Sequence, residues 1–404
     1  MNLSIKILIS LIIAVITGVI AGPGALPFIK WWIAPIGTMF INLIKMMIVP
    51  VVFTSLIVGV TSLGDTKKLG RIGLKTLVLY LLTTAIAIII GFAVAGVSHP
   101  GVGMHITNGT VQAAKAAPSI MQVILDMIPS SPVQSMAKSD ILPVIVFALF
   151  IGVGIVKIEP QKGSQLISFF DAAAETCYKV IAMIMELAPI GVFCLMLPVV
   201  VQNGPKVLLP LLSVIVTMIV GSFIHAVCVY SALASVAKNM NPIKFFKGMS
   251  EAMLIAFTTC SSAATLPVNM KNTQEKLGVS KEITSFVLPL GATINMDGTA
   301  LYMGICSLFI ANVFGIDLTM GQMVMIVFTG TLASIGTAGV PGAGLIMLAM
   351  VLQSVQLPLE GLALVAGIDR ILDMFRTCLN ITGDAAVAVA VNATEKEAPV
   401  PVKI

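Results

Sequence analysis

A stripe of charged and amide side chains runs along one apolar segment near the end of the chain, GIDRILDMFRTCLNITGD at residues 367–384. At 100° per residue, five of its polar side chains fall within about 80° of one another on a helix. These five are Asp369, Asp373, Arg376, Asn380 and Asp384. An arginine fork suits bidentate contact with a carboxylate, and surplus carboxylates beside amide oxygens suit a small hard cation.

The stripe also has a purely structural interpretation. Asp373 and Arg376 could pair at i, i+3 and serve only to hold helices together. The charge balance argues against this, because it leaves carboxylates without a partner. Arg370 points about 100° away from the stripe, so we expect it at a helix interface and not in the site.

A second polar motif, NMDG at residues 295–298, follows an earlier apolar helix. Asn295 and Asp297 add oxygen ligands, and the glycine suggests a broken helix. Unwound carbonyls of this kind bind Na⁺ in transporters. Arginine, carboxylates and cation oxygens together predict a site for an acidic amino acid bound with sodium.

The composition places these motifs in a membrane. Of the 404 residues, 58% are apolar and only 10% are charged, and the mean hydropathy is +1.06. Soluble domains are about 45–50% apolar and about 25% charged, so we expect an all-α polytopic membrane protein. The net charge of +5 reflects loop lysines and does not indicate a nucleic-acid partner. With no Ser/His pair, no zinc spacing and no cofactor loop, the sequence does not indicate an enzyme.

Apolar runs long enough to cross a bilayer are separated by short breaks. They lie near residues 4–21, 31–62, 70–97, 140–157, 163–202 and 205–237. The run at 163–202 is interrupted at Pro189, so we expect that it forms one or two elements. Lysines and arginine between the second and third runs mark that connection as cytoplasmic. The N-terminus is then also cytoplasmic, and the polar loop 98–139 is external.

Two further segments predict re-entrant hairpins. Residues 248–270 have lysines on both flanks, whereas neither flank of 323–351 has Lys or Arg. Each is broken at its middle by small polar residues and a proline, and non-helical backbone at that depth must be buried in protein or line a cavity. Residues 242–315 and 320–395 are therefore predicted to be two copies of a hairpin followed by a helix, inserted in opposite senses.

Four motifs carry a resemblance to a known family: SSAATLP (261–267), NMDGTALY (295–302), GTAGVPGAG (336–344) and DMFRTCLNITGD (373–384). Over essentially its whole length the chain resembles the dicarboxylate/amino acid:cation symporters, the prokaryotic glutamate transporter homologues related to excitatory amino acid transporters. The resemblance implies eight transmembrane helices plus two re-entrant hairpins, with the inverted repeats of the elevator fold. It also implies a homotrimer in the plasma (inner) membrane, in contact with lipid, with both termini cytoplasmic. No cofactor is implied, and Na⁺ is the coupling ion.

The resemblance divides the chain into a scaffold and a moving transport domain. Scaffold helices 1 and 2 occupy 1–69, and the external loop with scaffold helices 4 and 5 occupies 98–202. The transport domain takes helix 3 at 70–97 and residues 205–395. The latter contain helix 6, a hairpin at 242–277, helix 7 at 281–315, a hairpin at 320–357 and helix 8 at 360–395.

The resemblance also implies the substrate contacts. Arg376 would bind the side-chain carboxylate with help from Thr299. Asp373 would bind the ammonium, with Thr377 nearby. Asn380 and Ser262 would bind the α-carboxylate, and the backbone of the hairpin tips would close over the substrate. The full set is Ser261, Ser262, Thr299, Val340, Gly344, Asp373, Arg376, Thr377 and Asn380.

Three sodium sites are implied in the same way. The first uses Asp384 with backbone oxygens of Gly291, Asn295 and Asn380. The second lies between the broken helix and the second hairpin, at Thr293, Met296, Ser334, Ile335 and Thr337. The third uses Tyr80, Thr83, Thr84, Asn295 and Asp297.

Two residues depart from the family pattern, and several alternatives stay open. Ala263 stands where many members have a third serine, and Met303 where proton-coupled relatives carry a glutamate, so we expect no proton antiport there. C4-dicarboxylate or neutral amino acid transport and an anion-channel side activity are the alternatives. Arg376 argues against neutral substrates, and Asp373 favours amino acids over dicarboxylates. The sequence leaves open aspartate against glutamate, the sodium stoichiometry and potassium countertransport.

Overall fold

A computed structural model describes residues 3–61, 67–104, 125, 128–138, 140–204, 208–237, 240–335 and 342–395. The regular structure of these residues is helical. The helices are α1 Leu3–Ala21, α2 Ala34–Thr61, α3 Lys67–Ser98, α4 Pro132–Lys138, α5 Ile141–Lys157, α6 Pro160–Glu186, α7 Ala188–Asn203, α8 Leu208–His225, α9 Pro242–Thr259, α10 Ser262–Glu275, α11 Lys281–Ile294, α12 Asp297–Phe314, α13 Met320–Ser334, α14 Ala343–Ser354, α15 Leu362–Ala366 and α16 Asp369–Thr394. Short helical turns precede α2 and extend α8 to Ala234. Residues 105–124 of the predicted external loop lie outside the described part of the chain.

Five helical stretches of the described chain are long and apolar enough to cross a membrane, judged by length and composition. They are Pro23–Thr61, Ile72–Ser98, Leu208–Ala234, Lys281–Phe314 and Asp369–Thr394. The pair α6 and α7 meets the same criterion together, with a bend of 54° between its members. The bend lies where the sequence suggested an interruption. Pro189 stands in the first turn of α7, where its missing N–H leaves no intrahelical hydrogen bond unmade.

The helices pack in two sets. One set contains α1, α2, α5, α6 and α7, and the other contains α3, α8 to α13 and α16, whereas α14 and α15 contact both sets. Close crossings depend on glycine: a Cβ at Gly91 of α3 would lie 2.6 Å from the Leu301 carbonyl oxygen, and one at Gly304 of α12 would lie 2.7 Å from that of Ile88. Small residues allow such close packing where no hydrophobic effect drives helices together.

Helices α9 and α10 form hairpin 1. Cys260 turns the chain with a left-handed φ of 52°, and the Ser261 hydroxyl caps α10 by accepting from the Ala264 N–H at 3.2 Å. At the other end, a Cβ on Gly248 would lie 2.6 Å from the Leu277 side chain. The segment therefore begins and ends at the same place, which we call the mouth of hairpin 1.

Helices α13 and α14 form hairpin 2. Thr319 and Gln322 make a capping box at the start of α13. The Gln322 side chain donates to the Val355 carbonyl at 3.2 Å, so the two ends of this segment also meet, at the mouth of hairpin 2. Residues 336–341 at its tip lie outside the described chain.

The two mouths lie at opposite ends of the molecule. Ser280, which follows hairpin 1, starts the span made of α11 and α12. Hairpin 2 begins just after that span ends, and a Cβ on Gly361 beyond hairpin 2 would lie 2.6 Å from Ile310 near the end of α12. The hairpins therefore enter from opposite ends of the span, which agrees with the predicted opposite senses.

Candidate substrate and cation site

The helix break predicted at NMDG is present. Helix α11 ends at Ile294 and α12 begins at Asp297, with Asn295 and Met296 in non-helical conformations between them. All four residues are buried. The break turns the side chains of Asn295 and Asp297 toward α3, α8 and α16, as their hydrogen bonds below show.

Arg376 is the largest fully buried side chain of the described residues and lies between carboxylates of its own helix. Its Nη1 is 2.7 Å from Asp369 Oδ1, and its Nη2 is 2.9 Å from Asp373 Oδ1. The guanidinium carbon lies 4.3 Å from the centre of the Tyr302 ring, which stabilises a desolvated cation. Two carboxylates around one arginine leave a surplus negative charge in a buried place.

One helix end from each hairpin lies at the charged part of α16. A Cβ on Gly344, at the start of α14, would lie 2.6 Å from the guanidinium of Arg376. From hairpin 1, the Thr259 carbonyl at the end of α9 accepts a hydrogen bond from Arg370 at 3.3 Å. Arg370 therefore faces the hairpin 1 interface, as its position off the stripe predicted. The start of α14 therefore lies against Arg376 and the end of α9 lies at Arg370, so the two hairpins flank the charged part of α16.

Asp297, a buried carboxylate at the start of α12, has polar contacts at both of its oxygens. The hydroxyls of Thr83 and Thr84 on α3 donate to its Oδ1 at 3.1 and 2.9 Å. Its Oδ2 lies 2.9 Å from the Tyr230 hydroxyl and 3.4 Å from Nε2 of the fully buried His225. Hydrogen bonds of this kind stabilise an ionised carboxylate in a dry environment.

Asp384, another buried carboxylate, lies beside the break. Its Oδ1 accepts from the Asn295 amide at 2.9 Å, and its Oδ2 has no hydrogen-bond partner among the described residues. A Cβ on Gly291 would lie 2.4 Å from Asp384 Oδ1 and 2.5 Å from the Tyr80 hydroxyl. Only glycine therefore fits at position 291, where backbone, carboxylate and phenol oxygens converge.

The charges of Asp384 and Asp297 suit a bound cation. No Lys or Arg of the described chain pairs with Asp384 or Asp297. Two buried carboxylates surrounded by hydroxyl, amide and carbonyl oxygens form a donor set suited to a hard monovalent cation.

The structure brings together most of the predicted residues. The first and third predicted sodium groups converge around the break, and Thr377 lies 3.4 Å from Asp373 Oδ1. Ser262 and Thr299 are buried in the first turns of α10 and α12.

The described residues predicted for the second sodium site are not connected to one another by hydrogen bonds. The Thr293 hydroxyl donates to Leu290 O and the Ser334 hydroxyl to Thr331 O, each within its own helix. No hydrogen bond of the described residues links Thr293 or Met296 to Ser334 or Ile335. Thr337 and Val340 lie outside the described residues.

Sequence reasoning missed three contributors. His225 is the last residue of α8, and Tyr230 lies in the helical turn that extends it. Both are far along the chain from their partner Asp297, and no sequence motif connects them to Asp297. Asp369 was on the predicted stripe without a role, yet it makes the shortest contact to Arg376. The i, i+7 spacing of these two residues on one helix face is a signal that could have identified this pair.

Comparison with known proteins places the chain among transporters. The profile of the "Sodium:dicarboxylate symporter family" matches residues 3–394. The chain is 36% identical to the "Proton/sodium-glutamate symport protein" of Bacillus subtilis (strain 168), over 98% of this chain and 93% of the relative. It is 37% identical to the "Proton/glutamate-aspartate symporter" of Escherichia coli (strain K12), over 89% and 84%. The "C4-dicarboxylate transport protein" of Bacillus subtilis (strain 168) is 34% identical, over 98% and 94%.

Proposed function

The chain belongs to the sodium:dicarboxylate symporter family, and from that premise we propose that it is a secondary transporter coupling uptake of L-aspartate or L-glutamate to sodium. The observation that carries the proposal is the buried Arg376 with Asp369 and Asp373, flanked by one helix end of each hairpin. Two relatives named as glutamate or glutamate-aspartate symporters support the substrate class.

The arginine cluster accounts for an acidic amino acid. The substrate side-chain carboxylate binds Arg376 and takes over the place of Asp369 at Nη1. The ammonium binds Asp373, whose Oδ2 has no hydrogen-bond partner among the described residues. Ser262, Thr299, Thr377 and Asn380 surround the remaining polar atoms. An acidic amino acid supplies one ammonium for Asp373 and a side-chain carboxylate for Arg376. The cluster and the substrate each carry a net charge of −1, so the bound sodium ions compensate the remaining negative charge.

Sodium binds at the two carboxylates beside the helix break. Asp384, Gly291, Asn295 and Asn380 form one site, and Tyr80, Thr83, Thr84, Asn295 and Asp297 form another. Thr293, Met296, Ser334, Ile335 and Thr337 remain our proposal for a third. Because Asn295 contributes to both of the first two sites, their occupancies are coupled.

Transport proceeds by an elevator movement in a homotrimer of the inner membrane, with both termini cytoplasmic. The fixed scaffold is residues 1–69 and 98–202, and the moving domain is residues 70–97 and 205–395. The packing of the helices in two sets supports this division. Hairpin 2 is the external gate, and the contact of Gly344 at the start of its second arm with Arg376 supports this role.

A second candidate substrate is a C4-dicarboxylate, because one relative of similar identity is named for that transport. Asp373 discriminates between the two classes. Its carboxylate attracts the ammonium of an amino acid and repels a second carboxylate of a dicarboxylate.

Binding to the purified protein tests the proposal. Labelled L-aspartate should bind in sodium and not in choline, and unlabelled L-glutamate should compete better than succinate or serine. Sodium-independent binding, or stronger competition by succinate, would contradict the sodium coupling or the substrate class respectively.

A further inference from the structure

The second arm of hairpin 1 carries a buried polar face that the proposed site does not use. Asn269, Asn272 and Thr273 of α10 are each 0% exposed. Their spacing of i, i+3 and i+4 places them on one side of the helix. That side contacts α11 and α16, and we call this contact the hairpin 1 seam.

Most polar atoms of the seam lack a hydrogen-bond partner among the described residues. The Asn269 Nδ2 donates to the Ile381 carbonyl of α16 at 3.0 Å. Its Oδ1, both amide atoms of Asn272 and the Thr273 hydroxyl have no partner there. Buried polar atoms are nearly always hydrogen-bonded, to protein or to ordered water.

The seam extends from the cation site to the mouth of hairpin 1. At one end, Ile381 lies one turn before Asp384, whose Oδ2 also lacks a partner among the described residues. At the other end, the Thr273 carbonyl accepts from Val279 N at 3.1 Å, and the next residue, Ser280, donates its N–H to Asn392 Oδ1 at 3.1 Å.

The type of unpaired atom identifies the ligand. Asn272 presents an unpaired donor and an unpaired acceptor, and a cation could satisfy only the acceptor. Water satisfies both. We propose that ordered water fills the hairpin 1 seam and provides a hydrated path between Asp384 and the solution at the mouth of hairpin 1, along which the coupling cation exchanges. The path rests on the proposed role of Asp384 in cation binding.

A density map of the purified full-length protein that resolves ordered waters tests the occupant directly. We expect water within about 3 Å of both Asn272 Nδ2 and Asn272 Oδ1. A dry seam, in which the amide pairs with protein groups, or an ion in place of water would overturn the proposal. This result does not depend on whether the protein transports amino acids.

Kinetics test the path. The near-isosteric Asn272→Leu and Thr273→Val changes remove the polar atoms, and Gln274→Leu is the matched control because this neighbour is only half-buried and lies off the polar face. After a sodium jump, we expect both seam variants to bind labelled aspartate about tenfold more slowly, which corresponds to roughly 1.4 kcal/mol in the barrier.

The equilibrium affinity for aspartate should stay unchanged, and Gln274→Leu should behave as the parent. Parental rates in folded Thr273→Val, the more conservative variant, would overturn the path even if water is seen. If the parent itself binds aspartate without sodium, the proposed function fails, and the density map still decides the occupant of the seam.

Discussion

The side-chain oxygen of Asn380 accepts a hydrogen bond from the backbone N–H of Gly298 at 2.8 Å, joining α16 to the first turn of α12. The backbone carbonyl of the same Asn380 lies 3.3 Å from the Asn295 amide nitrogen, at the helix break. Asn380 is one turn after Arg376 on α16. Under the proposed function, a shift of Arg376 on substrate binding would be transmitted through Asn380 to the oxygens of the cation site, which would couple the two ligands.

Replacing the buried arginine removes acidic amino acid binding. Truncating one partner of a buried charge pair costs about 2–5 kcal/mol, so Arg376→Ala should weaken aspartate binding by about 30-fold or more. Arg376→Lys keeps the charge and loses the planar fork, so its loss should be smaller. Equilibrium binding in sodium measures both, and an unchanged affinity in folded Arg376→Ala contradicts the assignment.

Removing the competitor of the substrate carboxylate should have the opposite effect. Asp369 contacts Nη1 of Arg376, where we propose that the substrate carboxylate binds, and Asp369→Asn takes away its charge. We expect tighter aspartate binding and a lower Tm without aspartate, because a charge-assisted hydrogen bond to Nη1 is replaced by a weaker one to a neutral amide. Thermal unfolding with and without aspartate measures both quantities. Weaker binding would show that Asp369 supports the substrate instead of competing with it.

Neutralising the carboxylate beside the break should weaken sodium binding. Asp384→Asn removes a buried charge that has no Lys or Arg partner in the described chain, so sodium activation should shift to higher concentration and become less steep. Asp317→Asn, the same change at an exposed position, is the control. Aspartate binding titrated with sodium measures the shift, and identical curves for the two variants would refute the cation role of Asp384.

The close contact between α12 and α16 depends on a missing side chain. A Cβ at Gly298 would lie 2.2 Å from the Arg376 carbonyl oxygen, and backbone atoms cannot yield as a flexible side chain does. Gly298→Ala should therefore lower the free energy of unfolding by at least about 1–3 kcal/mol and abolish aspartate binding. Gly321→Ala is the control, since its nearest neighbouring atom would be 4.0 Å away. Equal Tm values for both variants would contradict the packing described for α12 and α16.

The sequence predicts the parts of this fold that depend on local pattern. The NMDG motif predicts the break between α11 and α12 because glycine and polar residues interrupt an apolar helix. The contrast in flanking lysines predicts two hairpins of opposite sense, since charge marks the side of entry. The stripe on α16 predicts Arg376 beside carboxylates because helical periodicity alone brings them together.

Contacts between distant helices are not encoded in such patterns. His225 and Tyr230 reach Asp297 through the packing of the α8 helix against α12 and α16, and neither stands in a polar motif. The stripe places both Asp369 and Asp373 near Arg376, and only the side-chain geometry shows that Asp369 makes the shorter contact. Asn272 and Thr273 have no visible role in the sequence, since burial and the lack of partners emerge only in three dimensions.

Uptake by the purified protein in liposomes tests the central claim most directly. With an inward sodium gradient, the vesicles should accumulate labelled L-aspartate or L-glutamate above the external concentration, and the accumulation should collapse when choline replaces sodium outside. Accumulation driven equally well by a proton gradient without sodium, or mere equilibration of the label under an intact sodium gradient, would contradict sodium-coupled symport.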